Sequence, residues 1–284
     1  PCGAHAAPPD RFPHPCPGGL TGMKIPVLKA DMPGTLPGPV AAHAAGRFND
    51  AGVLVLKNLL PPETITALQA AYVTQCGHIG RPSSGDHIRE VGDRRLMISL
   101  TVSGAFAAPD VFANPAALSI VSALLGDDVI LGSYVAVTSL PGAKAQRLHA
   151  DQEGLFGDIA LDSSVPPYSI TLVIPLVGLN ETTGSTRFFP GTHRDPDVEN
   201  TPDGIAPELD PGDAILFDSR ISHGGMANLS GTPRPIIYCT YHRAWYRDVS
   251  NFRDMPAMLI DEDARDAMAP AERALVDWVR IEGG

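Results

Sequence analysis

The sequence predicts a mainly β protein, a sandwich or barrel with flanking helices. From about Asp128 onward, short runs of β-branched and apolar residues recur, and turn residues separate them. Glycine and proline number 28 each, about a fifth of the 284 residues, and this excess favours many short elements over a helical bundle. A chain of this length can bury a full core without disulfides or a structural metal.

The first 22 residues differ from the rest of the chain. They are rich in proline, glycine and alanine, have no hydrophobic period and lack the apolar stretch of a signal peptide. Met23 then opens the segment MKIPVL, which has the character of a natural start. We therefore expect residues 1–22 to be a non-native or disordered leader. We expect residues 23–284 to form a single domain, with its barrel core at about 128–245.

Helices are predicted in the first half of the chain and at its end. Residues 39–49 have helical composition, and two prolines followed by a glutamate suit the first turn of a helix over 61–75. Asn114 is a strong N-cap for a further helix that Gly126 closes. The segment 270–282 has the pattern of a last helix.

Strands are predicted where apolar and β-branched residues form short runs. Each run has strand length, and glycine, proline, asparagine or aspartate lies close to its ends. The predicted strand segments are 52–56, 129–140, 168–179, 185–191, 213–219 and 234–242.

Charge and composition exclude several classes of partner. The formal net charge is −11, so the chain repels polyphosphate and we expect no nucleic acid. No apolar run approaches the roughly 20 residues of a membrane span, so we expect no membrane partner. The four cysteines form no C-x-x-C pair, which indicates a reducing, cytoplasmic compartment and no thiolate zinc site. A small molecule is the expected partner, and the oligomeric state is open.

A candidate metal site lies in the β half. Residues i and i+2 of an extended chain point the same way, so His149 and Asp151 can converge on one point. His223, in the segment DSRISHGG, supplies a second imidazole. Two histidines and one carboxylate form a facial triad that suits Fe(II) and leaves coordination positions open.

A candidate anion anchor follows the distal histidine. Arg234 lies 11 residues beyond His223, across a predicted hairpin turn at 228–233. Folding back at that turn brings Arg234 close to the level of His223 on the neighbouring strand. A guanidinium there can bind a terminal carboxylate with two parallel hydrogen bonds. Arg89, Arg94 and Arg95 have two interpretations, contact with an acidic substrate or a solvated face, and we expect the solvated face.

Three segments of the β half carry a family resemblance. They are LPGAKAQRLHAD (140–151), TLVIPLVGLNETTGSTRFFPGTHR (171–194) and PGDAILFDSRISHGGMANLSGTPRPIIYCTYH (211–242). Together they resemble the phytanoyl-CoA dioxygenase family. This is a family of Fe(II)- and 2-oxoglutarate-dependent oxygenases. The resemblance implies a double-stranded β-helix, a jelly-roll barrel of cupin type. It also implies Fe(II), 2-oxoglutarate as cosubstrate, and O2.

The resemblance assigns roles to particular residues. The implied iron ligands, which carry the catalysis, are His149, Asp151 and His223. Arg234 matches the anchor for the far carboxylate of 2-oxoglutarate. Further implied cosubstrate contacts, on the strands before and after the H-x-D pair, are Tyr134, Thr138 and Thr171. The polar segment 154–168, directly after the pair, is a candidate lid.

The expected activity is that of a 2-oxoglutarate-dependent non-haem iron dioxygenase. It would oxidise, in the first place hydroxylate, an unactivated C–H bond of a natural product or small metabolite and release succinate and CO2. One alternative is a cupin-type metalloenzyme without 2-oxoglutarate, such as an isomerase, lyase or other dioxygenase. Another is a binding module without catalysis, since fold does not fix function. Arg234 favours the oxygenase, because the cupin chemistry needs no carboxylate anchor there.

Overall fold

A computed structural model of the chain describes residues 23–30, 34–77, 87–152, 154–195 and 204–279. The expected leader, residues 1–22, lies outside them, and its nature and the single-domain division both stay predictions. The main layer is an eight-stranded sheet. Helices pack against one of its faces, and a small two-stranded sheet lies on the other.

The described residues contain twelve short strands and seven α-helices. The strands are β1 (Val27–Lys29), β2 (Val53–Lys57), β3 (Ile88–Glu90), β4 (Arg95–Ser99), β5 (Thr101–Val102), β6 (Val129–Ser139), β7 (Ser169–Pro175), β8 (Thr186–Phe188), β9 (Ala214–Asp218), β10 (His223–Gly225), β11 (Arg234–Arg243) and β12 (Leu259–Ile260). The helices are α1 (Gly38–Ala51), α2 (Pro62–Cys76), α3 (Pro109–Phe112), α4 (Pro115–Leu125), α5 (Ile159–Ser164), α6 (Glu262–Ala267) and α7 (Pro270–Val276). None of these helices is long and apolar enough to cross a bilayer, as far as the described residues go.

The large sheet interleaves strands from distant parts of the chain. Its order is β1-β2-β9-β7-β11-β6-β4-β3, parallel between β1 and β2 and antiparallel elsewhere. The small sheet pairs β8 with β10 in antiparallel register. The predicted mainly β architecture with flanking helices is therefore confirmed. In the large sheet, the sequence patterns missed the outer strands, which are β1 on one side and β3 and β4 on the other.

The strands β2, β9, β7 and β11 of the large sheet each contribute to two cores. On β9, Ala214 and Leu216 belong to the core under the helices, whereas Ile215 and Phe217 belong to the core between the two sheets. Phe188 of the small sheet packs on Phe217, with ring centroids 5.4 Å apart. Because alternate residues of a strand point to opposite faces, the position of a residue within its strand decides which core it joins.

Local signals set the ends of the main helices. Asn114 caps α4, and its side-chain oxygen accepts hydrogen bonds from the backbone N–H groups of Ala116 and Ala117 at 3.1 Å each. Gly52 ends α1 with φ at 74°, where a Cβ would lie 2.5 Å from Nδ1 of His193. Glycine is therefore needed at position 52 for both conformation and space.

Replacing the α4 cap tests the contribution of this helix to stability. Asn114→Ala leaves two buried N–H groups without their acceptor, so we expect the free energy of unfolding to fall by about 1–2 kcal/mol. Urea denaturation measures the change. Asn114→Ser keeps a capping oxygen and is expected to recover part of the loss. Equal stability of the alanine variant and the unchanged protein would contradict the assignment.

Candidate metal centre

The two candidate histidines are joined through their backbones. His149 and His223 form an isolated antiparallel bridge, in which each N–H donates to the carbonyl of the other at 3.0 and 2.9 Å. His223 is the first residue of β10 and pairs with Phe188 of the small sheet. Because the bridge fixes both backbones, the imidazoles lie side by side, with ring centroids 4.5 Å apart.

Asp151 completes a cluster that could hold a metal ion. Its Oδ1 lies 3.7 Å from Nε2 of His149 and 3.6 Å from Nε2 of His223. The possible ligand atoms of the three residues all lie within 4.8 Å of one another. Ligand bonds of about 2.1 Å at right angles would place neighbouring ligand atoms about 3 Å apart, so the two Asp151–histidine separations would shorten by about 0.6–0.7 Å around a bound ion. Two imidazoles and a carboxylate on one side are the donor set of a facial triad.

Backbone carbonyls set the tautomer of both histidines. Nδ1 of His149 lies 3.0 Å from the carbonyl of Arg147, and Nδ1 of His223 lies 3.0 Å from the carbonyl of Ile221. A carbonyl can only accept a hydrogen bond, so each Nδ1 carries the proton and donates it. Each Nε2 then keeps its lone pair, which faces the other two ligand groups.

Burial keeps His223 neutral. The residue is 2% exposed, and burial lowers the pKa of its imidazole, with a smaller lowering from His149. Asp151 and the Ile221 carbonyl oppose this shift. The rings of Phe217 and Phe188 lie 5.0 and 5.8 Å from the imidazole. Since a metal binds the neutral imidazole, this apolar surrounding favours the ligating form.

A cavity of about 540 Å³ opens beside the triad. Side chains from one face of neighbouring strands form part of its wall: Met97 of β4, Ser133, Val135 and Val137 of β6, Thr171 of β7, and Tyr238 and Thr240 of β11. Met97 and Val135 form an apolar cluster with Met255, and Phe252 packs against it. The cavity therefore combines a polar metal cluster with an apolar wall.

Arg234 is buried at the start of β11. It is 2% exposed, and its Nη2 donates a 2.6 Å hydrogen bond to Oγ of Ser139. Its Nε has no hydrogen-bond partner among the described residues. Burial, and then the charge of Arg95, lowers the pKa of Arg234 to about 10. The structure thus places this predicted anchor as a buried guanidinium hydrogen-bonded to Ser139, and Arg234 is not among the residues that line the cavity.

Arg95 is a functional candidate, and the solvated face that we expected for it is wrong. The residue is 1% exposed and lines the cavity. Its Nε donates to Oγ of Ser139 at 2.8 Å and its Nη2 to the Met226 carbonyl at 3.1 Å, whereas Nη1 has no partner among the described residues. Burial lowers its pKa.

The register of the sheet brings the two arginines together. Arg95 and Arg234 both pair with Ser139, one from each side of β6. Within the described ranges, neither guanidinium forms an ion pair with a carboxylate. Two neighbouring buried cations are costly unless an anion compensates them. The arrangement is therefore suited to binding an anionic group.

Two of the predicted cosubstrate contacts lie on the wrong face of β6. The hydroxyl of Thr138 is hydrogen-bonded to that of Tyr72 at 2.8 Å, and Tyr134 packs edge-on against Phe106 with centroids 6.1 Å apart. Both side chains therefore point to the helices. The cavity-facing residues of β6 are the alternate ones, Ser133, Val135 and Val137. Thr171 does line the cavity, where its Oγ1 lies 3.2 Å from that of Thr240.

The segment after the triad contains regular structure. Residues 159–164 form α5, and Asp158 caps it by accepting from the N–H of Leu161. Leu155, Phe156 and Ile159 are exposed apolar side chains in this segment. Its role as a lid stays a prediction.

Comparisons with known proteins agree with this geometry. A family model described as phytanoyl-CoA dioxygenase (PhyH) matches residues 48–236. The dioxygenase trt7 of Aspergillus terreus is 27% identical over 251 residues, which cover 84% of this chain and 85% of that protein.

Two solved structures share the fold. The epimerase SnoN, in complex with Fe3+, alpha ketoglutarate and nogalamycin RO, has a TM-score of 0.57 at 16% identity, over 75% of this chain and 88% of that one. The alpha ketoglutarate dependent carbocyclase SnoK from nogalamycin biosynthesis has a TM-score of 0.57 at 18% identity, over 81% of this chain and 98% of that one. These likenesses confirm the predicted fold class.

The face assignment of β6 can be tested with two variants. Tyr134→Phe and Thr138→Val remove hydroxyls that point to the helices, so we expect the affinities for Fe(II) and 2-oxoglutarate to stay within twofold. Thr138→Val deprives the Tyr72 hydroxyl of its partner, so it should lower the free energy of unfolding by about 1 kcal/mol. Anaerobic titration and urea denaturation measure both quantities. A tenfold loss of affinity in either variant would contradict the assignment.

Proposed function

We propose that this chain, which belongs to the phytanoyl-CoA dioxygenase family, oxidises a C–H bond of a small molecule with Fe(II), 2-oxoglutarate and O2. Membership makes it a 2-oxoglutarate-dependent non-haem iron dioxygenase. The single observation that carries the proposal is that an open His-Asp-His cluster and the buried Arg95 line one cavity, while the buried Arg234 is hydrogen-bonded to the same Ser139 hydroxyl as Arg95.

The residues present fit the metal. In this proposal His149, Asp151 and His223 hold Fe(II), and the carbonyl-bound tautomers direct both Nε2 lone pairs to it. Asp151 adds the negative charge that completes the facial set. When bound, the iron supplies O2 activation coupled to the decarboxylation of 2-oxoglutarate to succinate. Residues of the cavity wall exclude water and orient the substrate.

The arginine pair fits the cosubstrate. 2-Oxoglutarate is a dicarboxylate, so one end can lie beside the metal while the other carboxylate is bound further inside. In this proposal the far carboxylate lies against Arg234 and Arg95, which Ser139 aligns by accepting from both. Charge-assisted hydrogen bonds from a guanidinium are strong and directional. The cupin-type alternative without 2-oxoglutarate leaves this pair without a purpose.

The remaining cavity suits a partly apolar substrate. Met97, Val135 and Phe252 provide an apolar wall, which would contact the substrate body. Trt7 is named a dioxygenase, and the solved SnoN complex contains nogalamycin RO. We therefore propose a natural product or small metabolite as substrate and hydroxylation as the reaction. Epimerisation and ring closure, which the names of the two structural relatives give, are the competing outcomes.

An anaerobic binding experiment tests the metal and cosubstrate together. Fe(II) and 2-oxoglutarate added to the protein should produce a weak visible charge-transfer band. The band should vanish in His149→Ala, because one ligand of the triad is lost. It should need at least tenfold more 2-oxoglutarate in Arg234→Ala. Iron binding without any band would reject 2-oxoglutarate as cosubstrate, and no iron binding would reject the metal site.

Two variants distinguish the contribution of Arg95 to 2-oxoglutarate binding from that of its exposed neighbour Arg94. Arg95→Gln removes the buried charge that lines the cavity, whereas Arg94→Gln removes a charge whose Nε donates only to the Pro141 carbonyl at the surface. Loss of a charged hydrogen bond of about 1.5–3 kcal/mol predicts a 10- to 100-fold weaker affinity for 2-oxoglutarate in Arg95→Gln. Titration of the charge-transfer band measures it. The Arg94 variant should match the unchanged protein, and equal affinities in both variants would remove Arg95 from the site.

A further inference from the structure

The carboxylate of Asp151 has few partners of its own. Among the described residues its side chain pairs with two groups, the imidazoles of His149 and His223, and accepts no hydrogen bond from a backbone N–H. The direction of the carboxylate must therefore depend on how its backbone is held. His149 is fixed on one side by the bridge to His223, and Gln152 on the other by an N–H bond of 2.9 Å to the Ser219 carbonyl.

Asn251 contacts the backbone of Asp151 itself. Its Nδ2 donates a 2.9 Å hydrogen bond to the Asp151 carbonyl and another of 2.9 Å to Oδ2 of Asp248. Oδ1 of Asp248 accepts from the backbone N–H of Asn251 at 2.9 Å. Both oxygens of Asp248 are therefore used to hold Asn251 in the orientation that reaches Asp151.

The same hydrogen-bond network includes Gln152, the residue that follows Asp151 in the chain. Gln152 donates through Nε2 to Oδ2 of Asp248 and accepts through Oε1 from the hydroxyl of Tyr246. On the opposite side, Nη1 of Arg89 donates to the Asn251 carbonyl at 2.8 Å. Asp248, Asn251 and Phe252 also line the cavity. The segment 246–252 thus joins the cavity wall to the backbone of the metal cluster.

We propose that Asn251 and Asp248 are positioning residues that hold Asp151 in its ligating orientation. This inference rests on the proposed function, because it takes Asp151 as a metal ligand. Metal sites tolerate deviations of only about 0.2 Å in ligand distance, so a loose backbone at Asp151 weakens binding even when all three ligands are present. Partners that orient ligands in this way typically contribute 10- to 100-fold to metal affinity.

Two variants of similar shape to the native residues test the inference. Asn251→Leu keeps the side-chain outline and removes both donated bonds. Asp248→Asn keeps the shape but leaves one oxygen where the network uses two. We expect each variant to bind Fe(II) 10- to 100-fold more weakly in anaerobic titration and to shift the charge-transfer band with 2-oxoglutarate. Val249→Ala, on the same segment with a side chain that is 72% exposed, is the matched control and should match the unchanged protein.

Two further variants separate the possible failures. Asn114→Ala lowers stability far from the site and should leave the Fe(II) affinity and the band unchanged, so it shows that destabilisation alone does not produce the expected result. If Asp151→Ala abolishes Fe(II) binding while Asn251→Leu and Asp248→Asn stay within twofold, the inference is overturned and the proposed function stands. If Asp151→Ala binds Fe(II) normally, the proposed function itself fails. Should Asn251→Leu not fold, the affinity of Asp248→Asn decides the inference.

Discussion

The candidate centre depends on one pair of backbone hydrogen bonds, between His149 and His223. These residues lie far apart in the chain, and their reciprocal bonds of 3.0 and 2.9 Å place both imidazoles at one point. The carbonyls of Arg147 and Ile221 then select the tautomer, and burial keeps His223 neutral. The metal-binding geometry of the cluster depends on this contact, because Asp151 can lie close to both histidines only if the two histidines are adjacent.

A second constraint comes from strand register. β4 and β11 flank β6, and both align an arginine with Ser139. A slip of one residue in either strand would send that arginine to the opposite face, among the apolar side chains under the helices. The correct register concentrates two positive charges in a chain whose formal net charge is −11. The local charge is thus opposite to the overall charge, as binding of a small dicarboxylate requires.

The two faces of β6 explain where sequence reasoning about the site succeeded and failed. The sequence predicted where β6 lies in the chain, but it did not predict which residues of β6 face the cavity. Tyr134 and Thr138 pack toward the helices, whereas Val135 and Val137 line the cavity. Nearly all residues of this strand are buried, so hydrophobicity does not tell one face from the other. When a strand is buried on both sides, the pattern of polar and apolar residues does not show which side chains face which core.

Local chemistry and tertiary pairing therefore decided different things. The Asn114 cap, the prolines that start helices and the H-x-D pair depend on near neighbours in the chain, so local patterns in the sequence predicted them. The burial of Arg95 and the contact of Asn251 with Asp151 join segments far apart in the chain. Such contacts follow from the register of the assembled sheet for Arg95 and from the packing of a distant loop for Asn251, and no short stretch of residues encodes either of them.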